Sequence, residues 1–228
     1  MDMKTTNHLT SANGIATRNR QLHLPHILYF IFYILYFPFV FTSCSSETEE
    51  YDPYHDWQAR NAEWFSQIAD SARLNQDGQW LMLKDLAKSP TYQSGITADS
   101  ICVHILHHGT GTVSPAYTDS IRVNFRGWLM PTQNAQGKEE ELIFTQTYYG
   151  DYNSATAAPQ LASVRAFKTG FATALQYMVE GDDWMVYIPQ ELFYGSSGSG
   201  IVLPYSTARF RIQLVAIYPT GSEVPDWK

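Results

Sequence analysis

Alternation of apolar and polar positions in the second half of the chain predicts β-strands. In residues 121–126 and in residues 209–216, every second position is apolar. Each strand would therefore turn one face to a core and the other to water, as is typical of antiparallel sheets. DWMVYIP, residues 183–189, is apolar on both sides and predicts a more buried strand, and SICVHIL, residues 100–106, predicts another. The apolar positions of the alternating strands are Ile121, Val123, Phe125, Phe210, Ile212, Leu214 and Ala216, and the polar ones are Arg122, Asn124, Arg126, Arg209, Arg211 and Gln213.

A first helix is predicted in residues 52–75, where apolar residues recur at helical spacing and Asp52 followed by Pro53 is typical of a helix start. Two tryptophans on one helix face must be buried. The pattern favours docking on the same domain over a contact with a second copy or a partner. The apolar stripe consists of Trp57, Trp64, Phe65, Ile68 and Ala72.

A second, shorter helix is predicted in GFATALQYMVEGDD, residues 170–183. Its apolar positions are Phe171, Ala174, Leu175 and Met178, and we expect Gly181 to end it in the left-handed conformation. Several strands and one short helix predict an α+β fold, in which an antiparallel β-sheet wraps around that helix. Residues 52–100 would form a helical N-terminal extension, although residues 76–100 predict no element.

The N-terminus predicts an export signal. ILYFIFYILYFPFVF, residues 27–41, is shorter than the roughly 20 apolar residues that a membrane-spanning helix needs, and it fits the apolar region of a signal peptide. FTSC, residues 41–44, resembles the bacterial lipoprotein box, which implies cleavage before Cys44 and membrane attachment through lipid on its thiol. An uncleaved anchor and an ordinary signal with an incidental cysteine are the alternatives.

These features divide the chain into four parts: a lipoprotein signal peptide (1–43), an acidic tether (44–51), the helical extension (52–100) and a strand-rich domain (101–228). The acidic residues after Cys44 resemble the export tags of surface lipoproteins in Bacteroidetes-type bacteria. The resemblance implies an outer-membrane lipoprotein of the cell envelope, either periplasmic or surface-exposed.

Composition narrows the possible partners. Aromatic residues make up 14% and charged residues 16% of the 228 residues, which is typical of a globular chain. A formal net charge of −7, without a basic stretch interleaved with aromatics, argues against nucleic acid as a partner. With Cys44 lipidated, Cys102 would have no partner, so we expect a buried thiol and no disulfide.

Motifs for common catalytic chemistry are absent from the sequence. It contains no Walker loop, GxSxG elbow, HExxH or paired CxxC, and the GSSGSG segment, residues 195–200, lacks the lysine and helix of a phosphate site. His104, His107 and His108 could suggest a metal site. In a strand, however, the first and last would lie about 13 Å apart, with His107 on the other face. We therefore expect surface histidines, with no metal and no cofactor.

Four segments together resemble the FKBP-type peptidyl-prolyl cis-trans isomerases across residues 101–218. They are HHGTGTVSPAYTDSIRVNFRGWL, IFTQTY, FKTGFATALQYMVEGDDWMVYIPQELFYG and GIVLPYSTARFRIQL, in family order and with nearly family spacing. The resemblance implies isomerisation of X-Pro bonds in proline-containing polypeptides. It says nothing about oligomeric state. Such a site needs aromatic walls for a proline ring and a mobile rim, which the GSSGSG segment would supply.

The resemblance also assigns residues to a pocket. Phe171 would form the floor, where the family usually has tryptophan, with Phe144, Phe167, Val202 and Phe210 on the walls. Tyr194 would donate its hydroxyl to a substrate carbonyl, and the backbone amide of Lys168 would bind the next carbonyl. Each aromatic residue taken singly could equally be a core residue.

Three departures from the family pattern concern activity. Phe125 replaces a tyrosine, Thr145 replaces an aspartate, and Gln160 falls near the place of a pocket phenylalanine. The pocket would lose a carboxylate and a hydroxyl, worth roughly 1 to 2 kcal/mol of substrate orientation. A weakened isomerase and a non-catalytic module that binds proline-containing or unfolded polypeptides are both compatible with this pocket.

Overall fold

The structure is a computed structural model that describes residues 51–75, 77–88 and 97–227. The predicted signal peptide, Cys44 and the tether up to residue 50 lie outside the described residues. Among the helices in the described ranges, none has the length and apolar character needed to cross a membrane.

Two α-helices and nine strands form the described part of the chain, together with short 3-10 turns. The helices are α1 (Trp57–Leu74) and α2 (Thr169–Tyr177). The strands are β1 (Trp80–Lys84), β2 (Ser100–His107), β3 (Ser120–Leu129), β4 (Thr132–Gln133), β5 (Glu139–Glu140), β6 (Ile143–Gln146), β7 (Gln160–Ser163), β8 (Asp183–Ile188) and β9 (Ala208–Tyr218).

Seven strands form one antiparallel sheet in the order β1-β2-β8-β9-β3-β6, with β7 also paired to β3. Strands β4 and β5 form a separate small hairpin. The long pair of β3 and β9 runs from Ser120 opposite Tyr218 to Leu129 opposite Ala208. The predicted α+β fold, an antiparallel sheet around one short helix with a helical extension before it, is confirmed.

The main core lies between the sheet and α2. Alternate side chains of β2, β3, β8 and β9 point into it, as the period-two pattern predicts for strands with one face on a core. Leu175 of α2 and Met178, directly after the helix, are fully buried against this face. The core strand residues include Ile101, Val103, Ile121, Val123, Val186, Ile188, Ile212 and Leu214.

Helix α1 covers the opposite face of the sheet. Phe65, Ala69 and Ala72 pack with Cys102 of β2, and Tyr187 of β8 joins the same cluster. The apolar stripe therefore docks on its own domain, as favoured. The structure also places β1 in the segment for which no element was predicted, where it pairs with β2, and the described residues belong to one compact unit.

Both helix boundaries differ from the sequence-based expectation. Helix α1 begins at Trp57 rather than near Asp52, whose carboxylate instead accepts the Tyr54 backbone N–H at 2.8 Å in a preceding turn. Helix α2 ends at Tyr177, because Met178 already has extended backbone angles. Gly181 has φ of 92°, but it lies in the following turn toward β8.

The outer face of β3 and β9 is not left to water, contrary to expectation. Arg122 is 7%, Asn124 1% and Gln213 3% exposed. The guanidinium of Arg122 donates to the Pro225 carbonyl at 2.6 Å and lies over the Trp227 ring, so the C-terminal tail covers this part of the sheet. Polar side chains occupy these positions because later segments supply partners for them.

Candidate active site

A single cavity of about 550 Å³, open to solvent, brings together all nine pocket residues singled out in the sequence. Its fourteen lining residues include five more: Ala166, Phe193, Ser199, Gly200 and Ile201. The nine expected residues are Phe125, Phe144, Thr145, Phe167, Lys168, Phe171, Tyr194, Val202 and Phe210.

Separate segments supply these side chains. The sheet contributes residues from β3, β6 and β9, and the N-terminal part of α2 contributes Phe171. Phe167 and Lys168 immediately precede α2, while Tyr194 and Val202 belong to the connection between β8 and β9. The cavity thus lies where the start of α2 approaches the inner face of the sheet.

Phe171 is the centre of the aromatic floor. It is only 3% exposed, and its ring stacks on Phe167 with centroids 4.5 Å apart. Phe210 and Phe125 meet Phe171 edge-on, at 4.9 and 5.4 Å. Edge-to-face and offset contacts at these distances are the favourable arrangements for aromatic rings, so the floor is closely packed as well as apolar.

Gly127 on β3 allows two wall rings to approach the backbone. A Cβ atom at this position would lie 2.6 Å from Cε1 of Phe210 and 2.9 Å from Cζ of Phe144. Both distances are well inside normal contact, so any side chain here would displace these rings. The glycine is therefore a steric requirement of the cavity wall.

A second aromatic wall extends from Phe144 to Tyr194. Phe144 meets Phe210 at 5.3 Å and Phe193 at 5.6 Å, and Phe193 meets Tyr194 at 4.5 Å. Phe193 was not among the predicted site residues. The signal that could have found it is its position directly before Tyr194, in a segment too short for regular alternation to assign a face.

The polar groups at the cavity are few. Within the described residues, neither the Tyr194 hydroxyl nor the Lys168 backbone amide has a hydrogen-bond partner, so both are free to bind a ligand. Lys168 is the one charged residue among the fourteen that line the cavity, and its ammonium nitrogen lies over the Tyr194 ring. The site can bind an apolar ring and donate hydrogen bonds beside it, with no carboxylate in its lining.

The rim formed by the GSSGSG segment has a folded backbone. Residues Gly195–Ser197 form a 3-10 turn, and Ser199 and Val202 exchange backbone hydrogen bonds of 2.8 and 2.9 Å. Gly198 has φ of 64°, and a Cβ there would lie 2.5 Å from the Val202 carbonyl oxygen. The glycines thus allow a tight turn over the cavity.

Two of the departures from the family pattern lie at the cavity and one does not. Thr145 is in the lining, where the family pattern has its aspartate, and Phe125 contributes a ring without a hydroxyl. Gln160 is exposed on β7, opposite Val123, and is not in the lining. Strand pairing with β3 therefore places Gln160 outside the cavity lining, and the replacement of a pocket phenylalanine near this position stays a prediction.

The histidines of β2 and the buried cysteine lie away from the cavity lining. His104 stacks on Trp80 with ring centroids 4.6 Å apart. In the part of the chain that the structure describes, no group of three or more potential ligands could hold a metal ion. Cys102 is fully buried as a free thiol, as expected, and burial raises its pKa to about 12.

The fold and cavity together define an antiparallel α+β domain with an aromatic pocket and no acid-base pair in its lining. Residues 111–215 match the model of the FKBP-type peptidyl-prolyl cis-trans isomerase family. The matched stretch lies within residues 101–218, whose motifs resemble this family. Helix α1 and strands β1 and β2 lie before the matched residues.

Two relatives have similar sequences. The macrophage infectivity potentiator of Trypanosoma cruzi is 30% identical over 114 residues, which are 50% of this chain and 50% of that protein. The FKBP-type 22 kDa peptidyl-prolyl cis-trans isomerase of Escherichia coli (strain K12) is 30% identical over 122 residues, 53% of this chain and 52% of the relative. The chain thus spans about half the length of these relatives.

Two solved structures resemble the chain as well. A peptidyl-prolyl cis-trans isomerase from Pseudomonas syringae has 22% identity and a TM-score of 0.48, with 74% of this chain and 98% of that chain covered. FkpA from Escherichia coli has 21% identity and a TM-score of 0.49, with 72% and 62% covered.

Proposed function

We propose that the protein is a peptidyl-prolyl cis-trans isomerase acting on X-Pro bonds of polypeptides. The observation that carries the proposal is the cavity built on Phe171, within an FKBP-type domain, with the Tyr194 hydroxyl and the Lys168 amide free beside it. An aromatic site with two neutral donors suits a reaction in which no bond to a side chain forms.

The chemistry follows from amide resonance. Rotation about the peptide bond has a barrier of about 18 to 20 kcal/mol, because the partial double bond must be broken. Unaided X-Pro isomerisation takes tens to hundreds of seconds. In the twisted transition state the nitrogen and carbonyl are decoupled and the amide is less dipolar, so an apolar cavity binds it better than the planar ground state.

In this scheme the proline ring lies on Phe171 between the walls of Phe144 and Phe210. The Tyr194 hydroxyl donates to one substrate carbonyl and the Lys168 amide to the next, which fixes the twist. The close edge-to-face contacts of the floor support this assignment, because they position the rings before substrate binds, and a transition state is stabilised by groups that need no rearrangement.

A second candidate function rests on the two departures inside the cavity. Phe125 and Thr145 leave the lining without a carboxylate and with a single tyrosine hydroxyl. The same cavity would then bind proline-containing or unfolded polypeptides without accelerating isomerisation. Binding and catalysis are separable, because binding substrate and transition state equally well gives no acceleration at saturation.

A protease-coupled isomerisation assay of residues 45–228 on a series of X-Pro peptides distinguishes these functions. Isomerase activity should appear on at least one peptide and fall in Tyr194→Phe, with Tyr149→Phe, an exposed tyrosine outside the cavity, as the matched control. A rate equal to the uncatalysed one on every peptide, combined with measurable peptide binding, would establish the second function instead.

We also propose that lipid on Cys44 anchors the protein to the outer membrane of the cell envelope, where it acts on exported polypeptides. The apolar run, the lipobox-like FTSC and the acidic residues that follow support this. The chain offers a matched pair of variants, because Cys44 and Cys102 are its two cysteines. Cys44→Ala should yield an unprocessed precursor without incorporated palmitate, while Cys102→Ala should be processed and labelled normally; labelling of Cys44→Ala would contradict the proposal.

A further inference from the structure

Helix α1 lies outside the matched residues 111–215, yet its side chains form hydrogen bonds with the residues directly after Val202. This stretch, residues 203–207, is called the post-Val202 segment below. The Trp57 indole N–H donates to Ser206 Oγ at 3.0 Å, and that hydroxyl donates to the Leu203 carbonyl at 2.7 Å. One turn further along α1, Asn61 Oδ1 accepts the Thr207 backbone N–H at 2.8 Å.

The residues that form these hydrogen bonds are almost completely buried, so water cannot replace a lost partner. Asn61 is 0%, Ser206 2% and Thr207 2% exposed. Asn61 also donates from Nδ2 to the Trp57 carbonyl at 2.8 Å, which turns its amide oxygen toward Thr207. A buried donor that loses its acceptor retains its full desolvation cost, so the post-Val202 segment cannot move away from α1 without a large penalty.

The same segment is tied to the cavity. Trp57 packs in one cluster with Leu129, Met130 and Val202, and Val202 lines the cavity while being only 4% exposed. Tyr205 in this segment has φ of 62°, a conformation that side-chain-bearing residues rarely adopt, and its N–H donates to the Gly195 carbonyl of the rim at 2.8 Å. Such a backbone persists only where its surroundings hold it.

We infer that Trp57 and Asn61 are positioning residues for the cavity: acting through the post-Val202 segment, they fix Val202 and the Gly195 end of the rim against the bound proline ring. The inference rests on the proposed function for its kinetic consequence, while its structural consequence can be tested without any substrate. In this chain, a helix that precedes the FKBP-type domain thus holds one wall of the cavity in place.

Three single variants distinguish an effect on the position of the cavity wall from a general effect on protein stability. Trp57→Phe removes the indole donor and keeps an aromatic ring, and Asn61→Ala removes the acceptor of the Thr207 N–H. Ala72→Gly is the matched control, because it weakens the same helix at its other end, where it packs with Cys102 and not with the post-Val202 segment.

The first measurement is the amide spectrum of the ¹⁵N-labelled protein. The Val202 and Gly195 resonances should shift in Trp57→Phe and Asn61→Ala and stay in place in Ala72→Gly. The inference would be overturned if the Val202 and Gly195 resonances stayed unchanged in both Trp57→Phe and Asn61→Ala, whatever activity the protein has.

The second measurement is kcat/KM for an X-Pro peptide, taken at the same interval below each variant's Tm. Trp57→Phe and Asn61→Ala should lower it by about 5- to 20-fold, the size expected for loss of one buried hydrogen bond in the wall, and Ala72→Gly by less than about 2-fold. If the wild-type protein binds peptides without isomerising them, the proposed function fails, and the same ratios are measured on the Kd. Equal losses in all three variants would overturn the positioning role.

A double-mutant cycle tests the route. Because Trp57 acts through the hydroxyl of Ser206, the effects of Trp57→Phe and Ser206→Ala on kcat/KM, or on the Kd, should be less than additive. Fully additive effects would mean that the indole does not act through Ser206, which would overturn this part of the inference.

Discussion

The ammonium nitrogen of Lys168 lies 4.4 Å from the centroid of the Tyr194 ring, at the mouth of the aromatic cavity. Attraction between a cation and an aromatic face is worth about 0.5 to 1 kcal/mol at exposed sites, which is enough to bias the lysine toward this position. The mouth of the cavity therefore carries a single positive charge, although the chain as a whole has a net charge of −7.

This charge predicts a preference among substrates. Peptides with glutamate next to the X-Pro bond should be used about 2- to 5-fold better than the same peptides with lysine, since exposed charge pairs contribute up to about 1 kcal/mol. Lys168→Glu should reverse the order, and salt should reduce both preferences. The measurement is kcat/KM for paired peptides at two ionic strengths.

Lys138, an exposed lysine between β4 and β5, provides the control for this charge effect. Lys138→Glu changes the net charge by the same amount but leaves the cavity lining intact. An equal reversal in both lysine variants would attribute the preference to overall charge rather than to Lys168.

Removal of the Tyr194 hydroxyl should affect activity without affecting stability. The hydroxyl has no hydrogen-bond partner among the described residues, so Tyr194→Phe should change the free energy of unfolding by less than about 0.5 kcal/mol. The kcat/KM should fall about 5- to 10-fold, the value of one hydrogen bond to the substrate. Urea unfolding and the coupled assay measure the two effects, and a large loss of stability would show that the hydroxyl has a structural role.

Addition of one methyl group at Gly127 should distort the cavity. Gly127→Ala would force apart Phe210 and Phe144, which lie 2.6 and 2.9 Å from the new Cβ position. We expect a loss of about 1 to 3 kcal/mol in stability and at least a 10-fold loss in peptide affinity or kcat/KM. Gly137→Ala is the comparison for a loss of stability alone, because its φ of 75° strains an alanine while nothing lies near its Cβ position. It should lower stability without lowering peptide affinity or kcat/KM.

The Cys102 thiol predicts a specific loss of stability at alkaline pH. Burial raises its pKa from 9.0 to about 12, so between these values the unfolded chain releases a proton that the folded chain retains. Its contribution to stability is therefore complete below pH 9 and is lost as the pH rises toward 12, by up to about 1.4 kcal/mol per pH unit. Urea unfolding of the wild type and Cys102→Ala under reducing conditions, from pH 7 to 11, should show a difference that shrinks only above pH 9.

The alternation of apolar and polar residues was enough to predict the strands that line the cavity. The alternation gave the correct inward faces for β3 and for β9 up to Leu214, because side chains of a strand with one face on a core repeat every two residues. The inward position predicted for Ala216 is wrong, because a register shift against β3 places Ala216 opposite Arg122 and packs Ile217 on the core instead. The resemblance then assigned Tyr194 and Val202, which no periodicity could place. Phe193 was missed because its orientation depends on the turn after β8.

The errors arose where distant segments decide the outcome. Asp52 and Pro53 are as typical of a turn as of a helix start, and here they form a turn in which Asp52 accepts the His55 backbone N–H. Helix α1 begins only at Trp57, after Asp56 in a left-handed conformation. The outer side chains Arg122 and Asn124 look like surface residues in sequence, and only the tail and a later loop cover them. Strand β1 has no clear alternation of its own, and its pairing with β2 defines it.

The order of strands in the sheet has a practical consequence for work on this chain. A fragment cut at residue 111, where the family match begins, would lack β1 and β2, and β8 would become a terminal strand with a row of unpaired N–H and C=O groups. β8 is apolar at alternate positions, with Trp184, Val186 and Ile188 buried. A free apolar strand of this kind pairs readily with other molecules, so the minimal homology fragment should form aggregates where the longer chain stays monodisperse.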